Sequence, residues 1–188
     1  MNIPPHMWGY RLSKVTESIR PVVSDYCDHL KKYWRDGEGF YISGLAGAGK
    51  TGAAVVILRC ARTHNLSCTF ITMTDLRECV RGKVAHNGEL SVLDRCKTVD
   101  FFVLDSLCVE DAKDLVFGAH ALRGLLESRI QAGRVTLITS SMSREQLVAF
   151  PYLKDWAHKL PMLPVEGPNR NTTRASERES SILKLMGK

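Results

Sequence analysis

Apolar residues recur along this chain in two alternating rhythms. From Pro21 to Trp34, the positions Val22, Val23, Tyr26, Cys27, Leu30, Tyr33 and Trp34 follow helical spacing. Pro21 suits the first turn, where its missing N–H costs nothing, and Asp36-Gly37 ends the helix. Phe40–Ser43 is a short aromatic and β-branched run, read as a strand. Thr51–Arg62 is apolar on nearly every face from Ala53 to Leu58, which predicts a buried helix. A second strand is expected at Cys68–Thr72, then a helix from Thr74 to Arg81, a loop over Gly82–Gly88 and a short helix over Glu89–Cys96. Phe101–Leu104 is a continuous apolar run ending at Asp105, the pattern of a strand covered on both faces. Leu115, Ala119, Leu122, Leu126 and Ile130 mark one face of a further helix. Arg134–Thr139 reads as a strand, Ser143 as the cap of a short helix reaching Phe150, and Leu163–Val165 as a last strand. Strands alternating with helices predict an α/β fold, with a parallel sheet, right-handed crossovers and helices on both faces.

A length of 188 residues with 44% hydrophobic content fits one domain around one core. No apolar run approaches the roughly 18 residues of a membrane span, so no membrane partner is expected. The opening MNIPPHMWGYRLSK lacks the basic-then-apolar order of a secretory signal. Six cysteines without a CxxC pair are expected to be thiols in a reducing, cytoplasmic setting rather than disulfides or a zinc site. The formal charge is +6, and half of that excess falls in the last stretch, Gly167–Lys188. A basic tail on a mildly basic body permits contact with nucleic acid without requiring it.

The chemistry sits in Gly44-Leu45-Ala46-Gly47-Ala48-Gly49-Lys50-Thr51, which fits G-x-x-x-x-G-K-[ST] at every defined position. A strand precedes it and a buried helix follows, as a phosphate-binding loop requires. The glycines let backbone N–H groups close around phosphate oxygens, and the helix N-terminus adds its dipole. Gly44 to Gly52 are therefore the candidate nucleotide-binding residues. Lys50 is expected to face solvent until it reaches the β- and γ-phosphates of ATP, and Thr51 to ligate Mg²⁺. Asp105, where the apolar strand emerges, is the second candidate Mg²⁺ ligand. Many ATPases carry another acid at the next position to orient the attacking water, but Ser106 stands here, and a serine is no base near neutral pH. Glu110 reads as a solvated or helix-start acid, with a reach to the site as the alternative. Ser140 and Ser143 read equally as helix-cap or site residues, and Ser141 is favoured as a polar contact to the γ-phosphate or water.

In this order the pieces resemble the DnaC/DnaI/IstB group of AAA+ ATPases, the replicative-helicase loaders and transposition helper ATPases. The resemblance runs from Ile3 to Arg170. It rests on Ile3-Pro4-Pro5-His6-Met7-Trp8, Gly37 through the phosphate loop, Cys68–Leu76, Phe102–Glu110, Val135–Leu147 and Leu163–Arg170. It implies an AAA+ core over residues 37–166, after an N-terminal segment and helix (1–36) and before a basic tail (167–188). With only 43 residues before the phosphate loop, no separate N-terminal helicase-binding domain and a small or absent lid are expected. It also implies an ATP·Mg²⁺-dependent accessory ATPase of DNA replication. The expected partners are a replicative helicase or other DNA-processing protein and single-stranded DNA, reached by self-association or by docking on a hexameric partner. The alternatives are a transposition helper on duplex DNA or a nucleotide-binding adaptor that hydrolyses poorly. Three positions depart from the group. Ser106 replaces the second acid of the Walker B strand, and Ser141 stands at the sensor-1 asparagine. No arginine occupies the arginine-finger segment, where Lys154 and Lys159 are the only nearby cations of that kind. Arg129 is an alternative finger, although its helical position, about 40° from the apolar stripe at 100° per residue, suits a stem along the core with an exposed head.

Overall fold

The computed structural model describes residues 3–82, 91–107, 119–149, 153–154 and 158–167. Its elements run α1 (Arg20–Asp28), α2 (Leu30–Asp36), β1 (Tyr41–Gly44), α3 (Lys50–Thr63), β2 (Cys68–Thr72), α4 (Met73–Val80), α5 (Val92–Thr98), β3 (Phe101–Leu107), α6 (Ala119–Gln131), β4 (Val135–Ser140), α7 (Arg144–Val148) and β5 (Met162–Val165), with 3₁₀ turns at Pro5–Met7 and Leu12–Lys14. The five strands form one parallel sheet in the order β2-β3-β4-β1-β5. The predicted α/β architecture is therefore the observed one.

Strand alternation sends successive residues of the buried strands to opposite faces. Phe101 and Val103 enter one core with α1, α3 and the N-terminal residues Ile3, Met7 and Val15. Phe102 and Leu104 enter the other, against Leu76 of α4, Cys96 of α5, Leu126 of α6 and Leu147 of α7. Both faces of the sheet are thus dry, as the unbroken apolar run implies. No described helix is long and apolar enough to cross a membrane. The five described cysteines, Cys27, Cys60, Cys68, Cys79 and Cys96, are free thiols, and Cys108 lies outside the described residues.

Two elements differ from expectation in ways that matter. The single helix expected over Pro21–Trp34 is interrupted at His29, between α1 and α2. Residues seven apart on a straight helix lie roughly 10 Å from each other along its axis, yet the rings of Tyr26 and Tyr33 stack with centroids 4.3 Å apart. The break at His29 accommodates that stack. The strand expected to end before Asp105 continues to Leu107, so Asp105 lies within β3 and is only 6% exposed. The other described element ends match to within one to three residues; residues 83–90, 108–118, 150–152, 155–157 and 168–188, with the expected helix start at Leu115, the helix end at Phe150, Glu110 and the tail, lie outside the described set.

Candidate functional site

The loop after β1 leaves the carboxyl end of the sheet, where open parallel sheets bind their ligands. Gly47 and Gly49 adopt φ of 76° and 104°, conformations that an L side chain rarely takes. These two positions turn the chain so that Lys50 begins α3 directly beneath the loop. Between the loop, the ends of β2 and β3 and the N-terminal segment lies a cavity of about 590 Å³. From the candidate set, Ala46, Gly47, Gly49, Lys50, Thr51, Gly52, Asp105 and Ser141 line it, joined by Ser106, Leu107 and Thr72. Gly44, Leu45 and Ala48 stand behind or outside the lining: Leu45 is 73% exposed and Ala48 is buried.

Lys50 departs from the expected solvent-facing state. Its Nζ donates to the Gly44 and Leu45 carbonyls, each at 2.8 Å. Partial burial lowers the ammonium pKa, and the Asp105 carboxylate opposes that shift. The lysine is therefore held in place by its own loop, ready to exchange two carbonyl acceptors for stronger anionic ones.

Asp105 is equally engaged. Thr139 Oγ1 donates to its Oδ1 at 2.7 Å, and Ser106 Oγ donates to its Oδ2 at 3.1 Å. Thr51 and Asp105 give the cavity a hydroxyl and a carboxylate, hard oxygen donors of the type Mg²⁺ takes. Among the described residues no three His, Cys, Asp or Glu side chains cluster to hold a metal by themselves.

The serines after β4 separate into three roles. Ser140 is fully buried; its hydroxyl donates to the Leu107 carbonyl at 2.6 Å and accepts from Met142 N–H. It joins β3 to β4 and does not face the cavity. Ser141 is exposed and lines the cavity. Ser143 caps α7 in a reciprocal pair with Gln146.

Arg129 is neither a finger nor a stem with an exposed head. It is 0% exposed, and it sits at the start of β3 and β4, the end of the sheet opposite the cavity. Its guanidinium donates to the carbonyls of Cys96, Val99 and Val135 at 2.6, 2.9 and 2.6 Å and to Thr136 Oγ1 at 3.0 Å. Of the remaining finger candidates, Lys154 and Lys159 are both exposed.

The far wall of the cavity is not marked by the phosphate-loop motif. Pro4, His6, Met7 and Tyr10 close it from the N-terminal segment. Tyr10 lies so close to α3 that a Cβ at Gly52 would overlap its ring, so glycine is needed there for packing as well as for the loop. Buried Thr16 ties the segment to the loop by donating to the Ala48 carbonyl at 2.5 Å. The proline-, histidine- and aromatic-rich opening was the available signal: an apolar and aromatic wall facing a phosphate loop suits a nucleobase.

The sheet order and the phosphate loop beside the Asp105 strand make this a P-loop α/β fold of the AAA+ type, and solved structures share it. The chain superposes on DnaI with a TM-score of 0.72 at 22% identity, covering 90% of this chain and 95% of that one. It superposes on the DnaC helicase loader with a TM-score of 0.71 at 15% identity, covering 87% and 100%. Against the replication initiator DnaA bound to AMPPCP and single-stranded DNA the TM-score is 0.65 at 14% identity, covering 90% of this chain and 52% of that one. This chain thus spans about half of that DnaA chain. No family model and no curated protein matches the sequence.

Proposed function

We propose that this chain is a nucleotide-dependent accessory ATPase of DNA replication that loads or remodels a replicative helicase on single-stranded DNA. The observation that carries this reading is the likeness to DnaI along nearly the whole of both chains, with a phosphate loop opening on a cavity of about 590 Å³. The DnaC structure is that of a helicase loader, and the DnaA structure holds both AMPPCP and single-stranded DNA. In this reading ATP sits with its base against Pro4, His6, Met7 and Tyr10 and its phosphates in the loop. Backbone N–H groups from Gly47 to Thr51 and the Lys50 ammonium bind the phosphates; Thr51 and Asp105 hold Mg²⁺, which supplies charge neutralisation at the phosphates. Ser141 contacts the γ-phosphate or the attacking water. ATP aligns several copies, on themselves or on a hexameric partner, in the cytoplasm.

Fluorescence anisotropy with labelled oligonucleotides, with and without ATP·Mg²⁺ at two salt concentrations, tests the reading. Single strands should bind more tightly than duplex, ATP should strengthen binding by aligning weak individual sites, and affinity should fall steeply as salt rises. A preference for duplex replaces this role with that of a transposition helper. Absence of binding to either strand form at low salt with ATP supports the hydrolysis-poor adaptor, a reading that Ser106 at the second acid position also favours.

A further inference from the structure

The strand carrying Asp105 is irregular just beyond it. Pairing between β3 and β4 runs in register through Leu104 and Ile138, then resumes at Leu107 and Ser140. Three steps on β3 therefore face two on β4, the signature of a bulge. Ser106 absorbs the extra residue with φ of 65°, a left-handed conformation unusual for serine. Thr139, 1% exposed, spans the bulge from β4. Its hydroxyl accepts from Ser106 N–H at 2.9 Å and donates its single proton to Asp105 Oδ1 at 2.7 Å.

We propose that Thr139 is the positioning residue for Asp105, and that the Ser106 hydroxyl is a removable cap on the other oxygen of the same carboxylate. This inference rests on reading the cavity as an ATP·Mg²⁺ site. Thr139 is enclosed and bonded on both sides, so it fixes the rotation of the carboxylate in every ligation state. The Ser106 hydroxyl bonds Oδ2 from an exposed side chain at 3.1 Å, and rotation about a single side-chain torsion releases it. Oδ1 is thereby the held oxygen and Oδ2 the one left for a divalent cation. The two hydroxyls touch the same carboxylate yet act with opposite sign: losing the Thr139 hydroxyl frees the carboxylate to rotate, while losing that of Ser106 uncaps it.

The test is the affinity of the full chain for a fluorescent ATP analogue in EDTA and in excess Mg²⁺, with the gain on adding Mg²⁺ as the readout. Thr139→Val should reduce that gain roughly 10-fold, the effect of one hydrogen bond to a charged group. Thr139→Ser should restore it, Ser106→Ala should increase it about threefold for loss of a weaker, exposed bond, and affinity in EDTA should not change in any of them. A merely structural threonine would lower both affinities together. If Thr139→Val fails to fold, Thr139→Ser and Ser106→Ala decide the matter. A reduced gain in Ser106→Ala, or an unchanged gain in folded Thr139→Val, overturns the clasp while the nucleotide site stands. A parent chain without any Mg²⁺-dependent gain overturns the ATP·Mg²⁺ reading and the clasp with it.

Discussion

Replacing Arg129 by methionine should destabilise the protein by about 3–5 kcal/mol, because several enclosed carbonyls lose their donor at roughly 1–3 kcal/mol each. For a chain of this size that is a fall in Tm of roughly 6–20 °C. The guanidinium satisfies several buried acceptors at once. It collects carbonyls from the C-terminal end of α5, the entry to β3 and the start of β4, and it lies 5.2 Å from the centre of the Phe102 ring. Burial and the neighbouring Arg134 charge lower its pKa to about 9, which leaves it charged at neutral pH, with the helix C-terminal dipole favouring the cation. Methionine fills much of the volume but supplies no donor, so several enclosed carbonyls lose their partner at once. Arg129→Lys should recover part of the loss, because three donors on a point charge cannot match a planar fork. Thermal melts of the three proteins check this. A methionine variant that melts like the parent and fails only in nucleotide-dependent assembly would return Arg129 to the role of an arginine finger.

Ser106→Asp should raise ATP turnover by about 10²–10⁴-fold, the usual contribution of a positioned general base. The backbone decides which acid to use. At φ of 65° aspartate is among the side chains best tolerated, whereas glutamate fits that conformation less readily and carries its carboxylate one bond further. Ser106→Asp should therefore outperform Ser106→Glu, which a propensity-blind comparison of the two acids would not anticipate. The measurement is steady-state phosphate release at saturating ATP·Mg²⁺. Parent-level turnover in a Ser106→Asp variant that still binds ATP·Mg²⁺ normally would show that the missing acid is not what limits hydrolysis.

How much of this was legible in the sequence follows the range of the interactions. Helix and strand periods depend on neighbours a few residues apart, and they placed every described strand and the phosphate-loop helix. Cys68–Thr72 was predicted to the residue, because its end coincides with a polar cap: Thr72 accepts from Asp75 N–H and opens α4. The break at His29 was invisible, since the apolar stripe passes through it unbroken and only the Tyr26–Tyr33 stack reveals it. The phosphate loop was legible because glycine spacing and lysine position encode the chemistry locally. The state of Lys50 and Asp105 was not, because their partners arise from the folded loop and from β4. Arg129 misled for a related reason. A helical wheel places it beside the apolar stripe, but only the packing of α5 against α6 brings the carbonyls of Cys96 and Val99 to meet it. Ser106 carries no turn signal of its own, so its left-handed backbone follows from register between two strands 33 residues apart, bridged by its N–H to Thr139.

The central claim is that the cavity under the phosphate loop binds ATP through Lys50, and isothermal titration of ATP·Mg²⁺ into the parent chain and into Lys50→Ala tests it most directly. Among the described residues Lys50 Nζ bonds two carbonyls of its own loop and no core group, so its removal should leave the circular dichroism spectrum and melting unchanged. Affinity should fall roughly 10–100-fold, the worth of charge-assisted bonds to phosphate. ATP binding of undiminished affinity in a folded Lys50→Ala protein, or no binding by the parent, would contradict the account.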